Sequence, residues 1–147
     1  MTRYAENRKA SFNYEILEKF EAGIELLGIE VKSLRKGNIA LDGAYIILRG
    51  NEAYLINCNI PPYQPNNTEE SYDPTRNRKL LLTKKELDDL RKSEGTKGLT
   101  IVPISVYNKG RKIKIEIATV KGKKKFDKRQ SIKKRDVERE IGRTLKN

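Results

Sequence analysis

The chain has 147 residues, 32 lysines and arginines against 20 aspartates and glutamates, a formal charge of +12, and 36 % hydrophobic residues. This is one domain's worth of chain, with apolar material for a single compact core and little for a second. No histidine is present, which removes the commonest general base and metal ligand and every serine–histidine or cysteine–histidine pair, so neither a catalytic centre nor a bound metal or other cofactor is expected.

The longest uncharged stretch, residues 53–68, falls short of the ~20 apolar residues a bilayer-crossing helix needs and contains Pro61, Pro62 and Pro65. No membrane association is expected, and no signal-peptide pattern opens the chain. Cys58 is the single cysteine; it can form no intramolecular disulfide, which fits a reducing cytoplasm. It reads as a small strand residue more readily than as a nucleophile, since no base is positioned near it in sequence.

In chain order, residues 14–27 read as an extended segment with a turn around Glu21-Ala22-Gly23. Residues 28–37 follow as a short helix, with Val31 and Leu34 on one side, basic residues on another and Gly37 as its C-terminal stop. Residues 41–48 and 53–60 form a hairpin across Arg49-Gly50-Asn51-Glu52. Residues 61–75, with Pro61, Pro62, Pro65 and Pro74, are a loop. Thr83 and Glu86 make a capping box for a helix over 84–92, with Leu87 and Leu90 at helical spacing. The charges of that helix read as a solvated face. Asp88 and Asp89 are adjacent rather than facing, which argues against a paired acid and base. Residues 99–107 and 112–120 are the clearest strands: Ile113, Ile115 and Ile117 alternate with Lys112, Lys114, Glu116 and Ala118, and Asn108-Lys109-Gly110-Arg111 is the turn between them. Several antiparallel strands with two short helices point to a small closed barrel of the kind that binds oligonucleotides on a strand face.

The charge is uneven. Residues 121–147 hold 12 basic and 4 acidic residues, a net +8, and the preceding 120 hold the remaining +4. Such a segment attracts a polyanion, and without a broad apolar face the favoured polyanion is nucleic acid rather than a bilayer; a solubilising tail is the plain alternative. Its sparse apolar residues cannot order it alone. Val137, Ile141 and Leu145 nevertheless recur every four residues, so a helix is expected once phosphates neutralise the lysines and arginines. The expected organisation is therefore a barrel over 1–120 and a basic tail over 121–147 that is disordered when free. No phosphate-binding glycine loop occurs, and Phe126 is the tail's one base-stacking aromatic.

The blocks Asn7-Arg8-Lys9-Ala10, Phe20-Glu21-Ala22-Gly23-Ile24, Gly28-Ile29-Glu30-Val31-Lys32-Ser33-Leu34-Arg35, Arg78-Lys79-Leu80-Leu81-Leu82, Val102-Pro103 with Tyr107, and Gly122-Lys123-Lys124-Lys125-Phe126-Asp127-Lys128-Arg129 resemble, in order and spacing, the bacterial tmRNA-binding proteins of the small protein B family over nearly the whole chain. The resemblance implies an all-β fold with short helices, an oligonucleotide-binding-type (OB-like) antiparallel barrel plus a basic tail. It further implies binding to the tRNA-like domain of tmRNA and its delivery to stalled ribosomes to start trans-translation. The protein would do no bond chemistry; its tail would enter the empty messenger channel near the decoding site of small-subunit ribosomal RNA. Elongation factor Tu and alanyl-tRNA synthetase are partners implied through tmRNA.

By the same resemblance, Glu30, Leu90 and Lys114 fall where tmRNA-contacting positions are expected, with Lys32, Arg35 and Lys112 as neighbouring cations. Lys114 suits a phosphate. Glu30 would accept from a base edge or brace a nearby lysine or arginine, or be a helix-start carboxylate, and Leu90 also reads as an ordinary core leucine. Asp127, Lys128 and Arg129 fall on the tail motif that acts on the ribosome, with Lys124 and Phe126 beside it and Gly122 and Lys123 as its joint. Phe126, Ile29 and Val137 depart from the usual family pattern. Charge and alternation alone fit equally a general single-stranded RNA-binding or ribosomal protein. A metal-dependent nuclease using Asp73, Asp88 or Asp89 is a distant third.

Overall fold

The computed structural model describes residues 2–64, 66 and 69–122. These form, in order, β1 (Arg3–Glu6), α1 (Arg8–Asn13), β2 (Tyr14–Ile24), α2 (Gly28–Arg35), β3 (Tyr45–Arg49), β4 (Glu52–Ile56), β5 (Arg78–Leu81), α3 (Lys84–Glu94), β6 (Leu99–Lys109) and β7 (Lys112–Gly122). All seven strands join one antiparallel sheet in the order β1-β6-β7-β2-β5-β4-β3.

The sheet curls until β3 packs against β6, but no ladder joins those strands, so the closed barrel expected from the sequence is an OB-like barrel with an open seam. Helix α3 covers the seam. Its Leu90 is fully buried in the core, Arg91 donates to the Gly50 carbonyl at 2.8 Å, and Glu94 accepts from the edge amide of Leu48 at 2.8 Å. An edge donor that would otherwise seek another chain is thereby satisfied. The helix starts where the Thr83–Glu86 capping box places it: the Thr83 hydroxyl accepts from the Glu86 amide and the Glu86 carboxylate accepts from the Thr83 amide.

The long β6–β7 hairpin follows the isoleucine alternation and turns at Gly110, whose φ of +64° suits glycine. Ile115 and Ile117 are fully buried in the main core. On the opposite face Lys112 is exposed and Lys114 half-buried, yet Ala118 and Val120 on that same face are buried with Ala10 and Val102. Helix α1 covers them, so this strand is solvent-facing at one end and buried on both faces at the other.

Three boundaries differ from expectation, the first being the strand expected over 53–60, which ends at Ile56, before Asn57 takes a φ of +61°. The turn expected at Glu21-Ala22-Gly23 is absent: β2 runs straight through, pairing Ala22 with Ile115 and Gly23 with Lys114. The strand expected over 41–48 begins only at Tyr45, because Leu41 and Ala44 flank a turn at Gly43 (φ +78°). Elements β1 and α1, which the sequence analysis did not anticipate, tie the N-terminal segment to β6: the Asn7 side chain donates to the Pro103 carbonyl at 2.9 Å and its amide to the Ile104 carbonyl at 2.7 Å, across the bulge between Pro103 and Ser105. Proline offers no ladder donor, and the bulge is where a strand tolerates it.

Candidate nucleic-acid interface

At one end of the barrel, α2, the last residue of β5 and the start of β7 enclose a cleft of about 480 Å³. Its floor is apolar, from Ile24, Leu26, Val31, Leu81 and Ile113, and its rim carries Arg35, Arg111, Lys112 and Lys114. Leu81 is half-exposed. It lies opposite Gly23 in the sheet, and a Cβ on Gly23 would stand 3.2 Å from the Leu81 Cβ, so the missing side chain is what lets leucine lie across β2. None of the four rim cations makes an ion pair among the described residues. Unneutralised cations around an apolar floor are complementary to a ligand with phosphates and exposed base faces.

One anion stands near the rim. Glu21 accepts from the Tyr107 hydroxyl at 2.6 Å and from Lys109 at 3.2 Å; those bonds, with the charges of Lys109 and Lys114, hold its carboxyl below the ordinary range. Burial and the bond to Glu21 raise the Tyr107 hydroxyl, which stays protonated and donates.

The residues singled out from the sequence divide. Arg35, Lys112 and Lys114 come together in the cleft, and exposed Lys32 lies one turn before Arg35 on α2. Glu30 and Leu90 line no part of it. Leu90 is beneath α3. Glu30 points inward from α2 and is fully buried: Arg78 donates through Nε and Nη2 at 2.8 and 2.6 Å, Arg76 through Nε at 3.0 Å and also through Nη2, the Tyr72 hydroxyl at 3.0 Å and the Leu27 amide at 2.8 Å. Burial alone would raise its pKa; the bonds from Arg76, Leu27 and Arg78 outweigh that and hold the carboxyl below the ordinary range. Burial and the carboxylate raise the Tyr72 hydroxyl.

Arg78 is itself fully buried and also donates to the Cys58 and Pro74 carbonyls at 2.6 and 2.9 Å. Among the described residues no buried side-chain polar atom lacks a partner. Cys58 is buried, and burial pushes its thiol up to about 11, so it stays protonated at neutral pH. Leu81, Arg111 and Gly23 were not singled out from the sequence as binding residues. A signal existed for the leucine: in Leu80-Leu81-Leu82 strand alternation must turn the middle side chain away from its neighbours.

Gly122 is the last described residue and pairs with Tyr14. Eight residue steps along β7 separate it from Lys114, about 26 Å along an extended strand, so β7 finishes at the end of the barrel opposite the cleft. Lys123, Lys124, Phe126, Asp127, Lys128 and Arg129 lie outside the described residues. No helix among the described residues is long and apolar enough to cross a membrane.

The likenesses to known proteins run along the same chain. The profile of the SmpB protein family matches residues 4–147. The SsrA-binding protein of Prochlorococcus marinus strain MIT 9515 is 52 % identical over 144 residues, covering 98 % of this chain and 87 % of that protein. The SsrA-binding protein of Elusimicrobium minutum strain Pei191 is 50 % identical, covering 97 % and 90 %. Among solved structures, a chain from "tmRNA-SmpB: a journey to the center of the bacterial ribosome" superposes with a TM-score of 0.69 at 41 % identity, covering 87 % of this chain and 93 % of that one. With the whole barrel and the tail sequence inside one family match, this chain belongs to the SmpB family.

Proposed function

We propose that this chain binds the tRNA-like domain of tmRNA in the cleft between α2, β5 and β7 and brings it to stalled ribosomes, where trans-translation begins. The observation that carries the assignment is the half-identical likeness to SsrA-binding proteins over nearly the full length, joined to a solved relative described with tmRNA and the bacterial ribosome. The unneutralised rim of the cleft supplies the physical means. Arg35, Lys112 and Lys114, with Lys32 beside them, take phosphates, and Leu81 receives an exposed base face.

Glu30 and Leu90 contribute by holding α2 and α3 in place rather than by touching RNA. The tail, from Gly122 through Lys123, Lys124, Phe126, Asp127, Lys128 and Arg129, is assigned to the empty messenger channel and the decoding site. The protein acts in the cytoplasm as a binding factor and makes or breaks no bond, and elongation factor Tu and alanyl-tRNA synthetase are reached through tmRNA. A general single-stranded RNA binder would not require so extended a likeness to one family.

A competition between the tRNA-like domain and an unstructured oligonucleotide at physiological salt tests the assignment, with the full chain and with a chain ending at Gly122. Both chains should prefer the structured domain, and only the full chain should support peptide tagging on stalled ribosomes. Equal affinity for the two RNAs overturns the assignment; loss of RNA binding with the tail overturns the division of labour.

A further inference from the structure

Helix α2 is held on the barrel by two kinds of contact. Leu34 is fully buried in the main core, and apolar burial fixes the depth of a helix without fixing its rotation, because it is non-directional. Direction comes from Glu30 and Ser33. The Glu30 carboxylate is clamped by Arg78, Arg76 and Tyr72, and the Ser33 hydroxyl donates to the Pro61 carbonyl at 2.7 Å. The anchors are themselves braced: the single Tyr72 hydroxyl proton is shared between the Glu30 carboxylate and the Ile60 carbonyl, 2.8 Å away, and Arg78 begins β5, the strand that ends at Leu81. Val31 and Arg35, on the other side of the same helix, line the cleft.

We infer that Glu30, Tyr72 and Ser33 are positioning residues for RNA binding: they set the rotation of α2 about its axis and so hold Arg35 over the cleft, although none of the three lines it. The inference rests on the cleft being the RNA site. A helix with its side chains has a radius of ~5–6 Å, so a turn of ~20° carries a side chain ~2 Å at the surface. Hydrogen bonds tolerate only a few tenths of an ångström before they weaken. Losing one directional anchor therefore removes the Arg35 contact while the apolar packing of Leu34 keeps the helix on the barrel.

The test measures binding of the full-length chain to a transcript of the tmRNA tRNA-like domain across a salt series, for wild type, Tyr72→Phe, Ser33→Ala, Arg35→Ala and the double variant Tyr72→Phe/Arg35→Ala. Tyr72→Phe removes no charge, so a role confined to stability would lower the melting temperature and leave the salt slope as in wild type. The expected result is an affinity loss of about three- to tenfold, with the slope shallower by about 0.7 to 0.9, the amount for one lost phosphate contact. Arg35→Ala should lower the slope equally, and Tyr72→Phe should add nothing in its presence.

Unchanged slopes in Tyr72→Phe and Ser33→Ala, or losses that multiply in the double variant, overturn the inference. Should Tyr72→Phe fail to fold, the same slope and the same comparison with Arg35→Ala are taken from Ser33→Ala. Wild type that fails to bind the transcript overturns the functional assignment as well; wild-type binding with unaltered variants overturns this inference alone.

Discussion

Two clusters of cations flank α2, and they handle charge in opposite ways. On the inner side Arg78 and Arg76 converge on the single carboxylate of Glu30, and Arg78 is fully enclosed. Around the cleft, Arg35, Arg111, Lys112 and Lys114 share a rim without one ion pair among the described residues. The inner cluster has its counter-charge within the chain; the outer one requires it from elsewhere. The difference separates a cation that specifies the fold from one that recruits a polyanion, and residue type alone cannot make that separation.

The strongest challenge to this contrast is Arg78→Ala. Removing one partner of a buried ion pair costs about 3–5 kcal/mol; Arg76 stays on the carboxylate, but the fully buried partner and its bonds to the Cys58 and Pro74 carbonyls are lost, so the urea midpoint should fall steeply, and an unaltered midpoint would show that the inner cluster carries no structural role. Lys114→Ala should do the reverse. Stability should change by less than about 0.5 kcal/mol, while the affinity for the tRNA-like domain drops and its salt slope becomes shallower by about 0.7 to 0.9; a lowered midpoint with an unchanged slope would exchange the two assignments.

Acid sharpens the contrast by a smaller amount. Because the Glu30 carboxyl is held below its ordinary value, its contribution to stability is complete above the unfolded glutamate pKa of about 4.3 and is lost as pH falls through the lower folded value. Glu21 acts with the same sign. Thermal midpoints measured from pH 7 downward should stay level to about pH 5 and decline below about pH 4, and the Glu30→Gln chain should lack part of that decline.

Much of the fold was legible because it is local. The Thr83–Glu86 box starts α3, the isoleucine alternation builds β7, and Gly110 turns the hairpin. The seam was not legible, since whether β3 meets β6 by hydrogen bonds or beneath a helix depends on how the whole sheet coils. Gly23 misled for a related reason: a glycine in an apolar run reads as a turn, whereas here it sits within a strand and leaves room for Leu81 across the sheet.

The candidate site shows the same division. Lys112 and Lys114 follow from strand alternation and Arg35 from helical periodicity, so three of the rim cations could be placed from the sequence. Glu30 could not be placed, because its partners lie 46 and 48 residues away on a loop and on β5. A carboxylate in a basic block looks like a binding group until those arginines are found beneath it. Leu90 had its helical spacing in plain view, and that spacing pointed to the core where it lies.

One further property comes from β7. It is paired along both edges, to β2 and to β6, and the bulges at Leu17 and Ile104 belong to those partners while β7 itself stays regular. A regular strand stiffened on both sides acts as a measuring rod: the separation between the cleft and the origin of the basic terminus is fixed by residue count. Lengthening that rod by a pair of residues would move the terminus by roughly 7 Å with every groove contact unchanged, making reach and grip independently adjustable quantities.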